Sequence, residues 1–191
     1  ENWYVQATAS AGGGAISVFN PQGQLVANRA LADAGIELAG GAEGGDYLIV
    51  VDSDLTSSSD IDYSLTARRV VETFEDISVA SLLSGGVAGP YEYRSYRLSL
   101  ATTTRLLLNN TGSDEGMRWR LVPAGTQSTY WNNLPEGSWH GEFQYLNAGD
   151  YVLTVSSSDP SGGNFRLQLL DLAQAAALGT DTAPVSIAEG L

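Results

Sequence analysis

The 191-residue chain has no cysteine and no lysine, one histidine (His140) and one methionine (Met117). Without cysteine, no disulfide can staple the fold and no thiolate can act as nucleophile or ligand. One histidine and no cysteine deprive zinc of its usual donors. A Ser-His-Asp device would have to be built on His140. Residues 137–141 read Gly-Ser-Trp-His-Gly, without the Gly-x-Ser-x-Gly spacing of a nucleophile elbow. No catalytic residue is legible, and the expectation is a non-enzyme. No run reaches the ~18 apolar residues of a membrane span. Residues 1–10, ENWYVQATAS, lack the basic start and apolar run of a secretion signal, so the expectation is a soluble piece of something longer. Positive charge is scarce, with nine arginines against 22 acidic residues and a net charge of −13. Such a chain repels nucleic-acid phosphates and anionic membrane surfaces, so neither is an expected partner. The same charge favours solubility, and it favours Ca²⁺ where carboxylates cluster.

What is present is strand and turn. Hydrophobic residues make up 43% of the chain, enough for a packed core, and there are 22 glycines. Trp3–Ala9, Ala15–Phe19, Ile36–Leu38 and Tyr47–Val51 read as strands, as do Ile61–Ala67, Tyr96–Leu100 and Met117–Val122. Asn20-Pro21-Gln22-Gly23 is a turn with Pro and Gly suitably placed, and Gln24–Ala27 is its return strand. Ile61, Tyr63 and Leu65 are expected to face inward, and Tyr47–Val51 is apolar enough to be covered on both faces.

The chain also repeats itself. GGDYLIVVDSD (44–54) returns as AGDYVLTVSSSD (148–159), and in both places a polar loop and a closing strand follow. The strand of Trp3 and Tyr4 is matched here to that of Tyr96 and Leu98, and the Phe19–Gly23 turn to Val122–Gly125. Repetition at this scale means two copies of one domain. The fold expected is all-β, two tandem jelly-roll-like β-sandwiches. The first spans 1–78, the second 79–175, and 176–191 is a linker or lead-in strand.

The second copy has a lead-in at Ser84–Pro90, whereas the first begins abruptly. The C-terminal Pro184–Leu191 looks like the missing piece. Either the chain is one period of a tandem array, or its tail adds to the first copy of the next molecule and covers a sheet edge. Val185, Ile187, Trp3 and Tyr4 are the residues of such head-to-tail assembly, with other copies or adjacent repeats as partners. The plain alternative is an unstructured end.

The string GDYVLTVSSSDPSGGNFRLQLLDLAQAAAL (149–178), with its weaker echo from Gly45 to Leu65, resembles the bacterial pre-peptidase C-terminal-like domains. The elements that carry it are Gly149-Asp150-Tyr151, the Asn164–Leu167 strand and Leu170–Ala173. Such domains recur in large secreted repeat proteins and adhesins, some of them calcium-dependent. The resemblance implies a jelly-roll β-sandwich, an extracellular, bacterial cell-surface location and a spacer or binding role. It identifies no ligand.

Two groups of side chains invite chemistry. Asp52, Asp54, Asp60 and Asp62 surround a Ser-rich loop and could offer oxygens to calcium, the one candidate cofactor. They do not form an EF-hand loop, and a solvated acidic turn is the plainer alternative. Tyr130, Trp131, Trp139, Phe143 and Tyr145 crowd the second copy's longer middle. Aromatics on a loop can stack on sugars or anchor a peptide, or they can fill the core or the groove between the copies. Asn109-Asn110-Thr111 matches a glycosylation sequon, a triplet common by chance.

Overall fold

The structure, a computed structural model, describes residues 2–9, 13–31, 35–38, 45–53, 62–126, 128, 131–134 and 142–174. The strands are β1 (Trp3–Ala9), β2 (Gly14–Phe19), β3 (Leu25–Ala30), β4 (Gly35–Leu38), β5 (Leu48–Ser53), β6 (Tyr63–Arg69), β7 (Val71–Ile77) and β8 (Leu82–Val87). There follow β9 (Glu92–Leu100), β10 (Thr104–Asn110), β11 (Met117–Pro123), β12 (Asn132–Asn133), β13 (Glu142–Leu146), β14 (Gly149–Ser157) and β15 (Gly163–Asp171). A 3₁₀ turn at Leu172–Gln174 closes the series. The fold is all-β, as expected.

Turn chemistry sets the hairpins. The Asn20 carboxamide oxygen accepts the backbone N–H groups of Gln22 and Gln24, at 3.1 and 2.8 Å, and the Gly23 N–H reaches the Asn20 carbonyl at 2.9 Å. Gly23 has φ +76°, which a Cβ would disfavour. The β2–β3 hairpin is the result.

Four sheets form, in the orders β4-β1-β6, β3-β2-β5, β13-β10-β15-β8 and β12-β11-β14-β9-β7. The last two make one sandwich. Its core takes Leu83, Leu106, Phe165, Leu167 and Leu169 from one sheet, and Leu98, Trp119, Leu153 and Val155 from the other. Taking β8 to β15 as eight successive strands, the first, eighth, third and sixth make one sheet. The second, seventh, fourth and fifth make the other, which is the jelly-roll order.

The first two sheets also share one core, with Val5, Ala7 and Ile36 on one side and Ile16 and Val18 on the other. Their orders match those of the second sandwich strand for strand. β1 takes the place of β10, β2 of β11, β3 of β12, β4 of β13, β5 of β14 and β6 of β15. The strand of Trp3 and Tyr4 therefore corresponds to β10, not to the Tyr96–Leu98 strand β9. Alternation looks alike in any half-buried strand, so matching by pattern slipped here by one strand. Among the described residues nothing in the first unit stands for β8 or β9, and both β5 and β6 are edge strands.

That difference shows in the burial. Leu65 pairs with Ala7 and so shares its inward face, as expected. Yet Leu65 is 39% exposed and Tyr63 54% exposed, whereas their counterparts Leu167 and Phe165 are 0% and 2% exposed beneath β8 and β9. Leu48 and Val50 on β5 are exposed too, against the expectation that both faces of that strand are covered.

β7 falls within residues 1–78 but hydrogen-bonds in the second sandwich. It runs parallel to β9, from Val71 opposite Glu92 to Ile77 opposite Leu98. One residue makes the passage. The Val70 N–H donates to the Asn2 carbonyl in the first unit, and the Val71 N–H to the Tyr91 carbonyl in the second, each at 2.8 Å.

Candidate functional site: the junction and the open edge

Where the units meet, Tyr4, Val70 and Tyr93 form a small buried cluster, with Tyr91 and Trp131 packed against it. Tyr4 reaches it because Gly35, on the neighbouring strand, has no side chain. A Cβ there would run into the Tyr4 hydroxyl. Arg118 and Arg120 lie two apart on β11 and so share one face. Both guanidinium carbons lie 4.4 Å from the centre of the Trp131 ring. Tyr93 meets the same ring edge-on at 5.4 Å.

Glu37 on β4 completes the arrangement. Its carboxylate accepts the Trp131 indole N–H at 3.1 Å and pairs with the Arg120 guanidinium at 3.5 Å. Arg120 also donates to the Ser128 carbonyl at 2.7 Å. Across the seam, the Arg68 guanidinium stacks on Tyr91 at 4.6 Å. Burial pushes the Tyr93 hydroxyl pKa far up, and the Glu37 charge adds to that. Burial lowers the Arg118 guanidinium pKa, offset by Tyr93 and Glu37. Two of its nitrogens, Nε and one terminal nitrogen, are buried with no hydrogen-bond partner among the described residues. Such a patch desolvates charge and fixes geometry.

A cleft of about 430 Å³ opens next to this patch, bounded by Glu37, Glu72, Phe74, Arg120, Val122 and Val152. Glu72 on β7 accepts a hydrogen bond from the Ser95 hydroxyl, which also bonds Thr154 at 3.1 Å. One wall of the cleft is thus tied to the β9–β14 ladder.

The residues singled out from the sequence are scattered. Trp131 lies in the junction, whereas Tyr145 lies on β13 in the other sheet, 72% exposed, with Arg105 5.2 Å from its ring centre. Tyr130 and Trp139 lie outside the described residues, as do Asp54, Asp60, Val185 and Ile187, and so does the side chain of Phe143. Asp52 and Asp62 are exposed at the ends of β5 and β6. Among the described residues no three acidic or histidine side chains gather around a common point. Trp3 is partly exposed on β1, and Tyr4 is buried in the junction. Sequence reasoning passed over Glu37, Arg118 and Arg120, because an isolated charge in a strand reads as solvent-facing.

No helix among the described residues is long and apolar enough to cross a membrane. No protein-family model matches the chain, and no curated protein matches its sequence. Among solved structures it is similar to the pre-peptidase C-terminal domain of a collagenase from Bacillus anthracis. That match has 18% identity and a TM-score of 0.40, over 51% of this chain and 95% of that one. It is also similar to PliG, a periplasmic inhibitor of g-type lysozyme from Aeromonas hydrophila. There the identity is 12% and the TM-score 0.37, over 52% of this chain and 99% of that one.

Proposed function

We propose that the chain is a non-catalytic structural module of an extracellular bacterial protein, a stiff spacer made of jelly-roll units joined in series. One observation carries this reading. The chain passes from β6 of the first unit to β7 of the second through Val70 alone, and β7 pairs along its whole length with β9. The Glu37–Arg120–Trp131 contact beside it couples them a second time. Interfaces between domains of one chain are commonly mobile unless large and apolar. A passage of one residue between two hydrogen-bonded strands is a tighter constraint than either kind of contact. The reading extends to assembly with further copies or adjacent repeats. Calcium enters it at the loop of Asp52, Asp54, Asp60 and Asp62, where added Ca²⁺ should raise the melting temperature and D52N/D62N should abolish the rise.

The test of stiffness is nitrogen-15 relaxation of the 191-residue chain. A stiff spacer gives both units one rotational correlation time, and W131A, which leaves the Val70 passage and β7 in place, keeps it single. Independent tumbling of the unaltered chain would sink the proposal.

A second reading, a carbohydrate- or peptide-binding module, draws support from the exposed Tyr145 ring and from the cleft lined by Phe74, Val122 and Val152. Glycan and peptide arrays probed with the chain and with Y145A separate the two. Binding that Y145A weakens at least tenfold favours the module that binds.

A further inference from the structure

Four buried side-chain atoms among the described residues have no hydrogen-bond partner. They are the Tyr93 hydroxyl, the Ser156 hydroxyl, and Nε and Nη2 of Arg118. They belong to one place in the fold. Arg118 on β11 stands opposite Ser156 on β14, and Tyr93 on β9 falls beside Ser156, one step beyond the Val155–Arg94 pair. The three residues thus make one row across three adjacent strands. Trp119, Val155 and Tyr96, at odd spacing from them on the same strands, point into the sandwich core. The row therefore lies on the opposite face. Ser156 and Tyr93 are fully buried there. Trp131 packs on the row, its ring centre 4.4 Å from the Arg118 guanidinium carbon and its plane edge-on to Tyr93. Tyr4 of the first unit joins Tyr93 in the same cluster.

Charge gives the row its chemistry. Around Trp131 two arginines meet one carboxylate, and that carboxylate, Glu37, is taken by Arg120 and the indole N–H. Arg118 keeps its positive charge, with no acceptor for Nε and Nη2. A buried cation without an acceptor is costly. Nε and Nη2 lie along one edge of the guanidinium and donate in parallel, the fork that grips an anion with two bonds. The Ser156 hydroxyl offers a third donor. The Tyr93 hydroxyl lies near enough to Glu37 for that charge to raise its pKa, so Tyr93 is a wall of the site and not a donor in it. We propose that this row is a binding site for one small monovalent anion, of the size of chloride, held by the Arg118 fork and the Ser156 hydroxyl beside Trp131. The three donor atoms are closed off from solvent, so the ligand is enclosed and has to be small. A guanidinium has no acceptor to offer a cation. Water would occupy the donors but leave unbalanced the surplus of one charge, Arg118 and Arg120 against Glu37. An anion held only by the folded junction stabilises the chain by mass action. The site goes beyond the spacer reading and does not depend on it.

Chloride is the probe, with bromide as its heavy substitute. Urea midpoints of the 191-residue chain are compared in sodium chloride and in sodium gluconate at equal ionic strength, gluconate being too large to be enclosed. The midpoint of the unaltered chain rises with chloride and saturates. S156A weakens the apparent chloride affinity at least tenfold, and R118M abolishes the response, both with unchanged circular dichroism spectra. Crystals grown with sodium bromide show an anomalous peak within hydrogen-bonding reach of Arg118 Nε and Ser156 Oγ. The proposal is overturned by equal midpoints in chloride and gluconate. It is equally overturned by a chloride response that S156A and R118M both keep, or by ordered water only where bromide is expected. Should R118M fail to fold, S156A and the bromide crystal decide the matter. Each of these results leaves the spacer reading untouched, since that reading stands or falls on the correlation times.

Discussion

Tyr93 is fully buried against a carboxylate, and its hydroxyl resists ionisation for both reasons, burial first. Tyr4 and Tyr96 shift the same way, each chiefly by burial. A group whose pKa is raised by folding contributes fully below its unfolded pKa, about 10 for tyrosine, and loses that contribution as pH climbs beyond it. Urea midpoints should therefore be level from pH 7 to 9 and fall between pH 10 and 11.5. Y93F should soften the fall. At pH 7 it should change stability by less than about 1 kcal/mol, because the hydroxyl has no hydrogen-bond partner among the described residues. Ala80, in the turn before β8, has φ +76° while its N–H donates to the Leu169 carbonyl at 2.9 Å. A Cβ is disfavoured in that region, so A80G should stabilise the chain by about 0.5–1 kcal/mol in the same urea assay. The Asp159 carboxylate accepts the Ser161 hydroxyl and N–H, and both hold its pKa below the ordinary value. S161A should move the Asp159 titration upward in NMR-detected pH curves.

At the scale of the element, the junction contacts and β7 separate what the sequence could reveal from what it could not. Trp131 lies between two arginines and donates to Glu37, so W131A removes a stacking partner and leaves Glu37 short of a donor. A loss of roughly 2–4 kcal/mol is expected from the urea midpoint. Most strands were legible because apolar residues alternate between well-marked turns, as in Met117, Trp119 and Leu121. β7 was not. Its sequence, VETFEDI, has a phenylalanine among acids on one face and a threonine and a glutamate among aliphatics on the other, and it is exposed almost throughout. An edge strand with no buried face has no periodic signal to read. β13 was hidden differently, its aromatics taken as part of an insert around Trp131 and Trp139. The junction was illegible because Glu37 and Arg120 are 83 residues apart and meet only through tertiary apposition. The exposure of Tyr63 and Leu65 also escaped, because alternation tells which way a side chain points and not whether anything covers it.

For the whole molecule, charge and topology pull against each other. A net charge of −13 keeps copies apart, while β6 has no strand on its outer side among the described residues. Salt shortens the reach of the repulsion, from a Debye length of about 10 Å at 0.1 M to about 3 Å at 1 M, and leaves apolar contacts intact. Under the proposed assembly of copies, association measured by sedimentation should thus strengthen as NaCl rises from 20 to 500 mM. A contact held together by opposite charges would weaken instead.

Val70 has a mechanical consequence. Tension pulling the first unit away from the second passes through this residue into the start of β7. There it meets seven register positions, Val71–Ile77 against Glu92–Leu98. A pull directed along the strand runs across the hydrogen bonds rather than in line with them. Under such a pull the ladder is loaded in shear, and its bonds must give way together instead of unzipping one by one. A tether with this joint would hold its length under force until the whole of β7 slips.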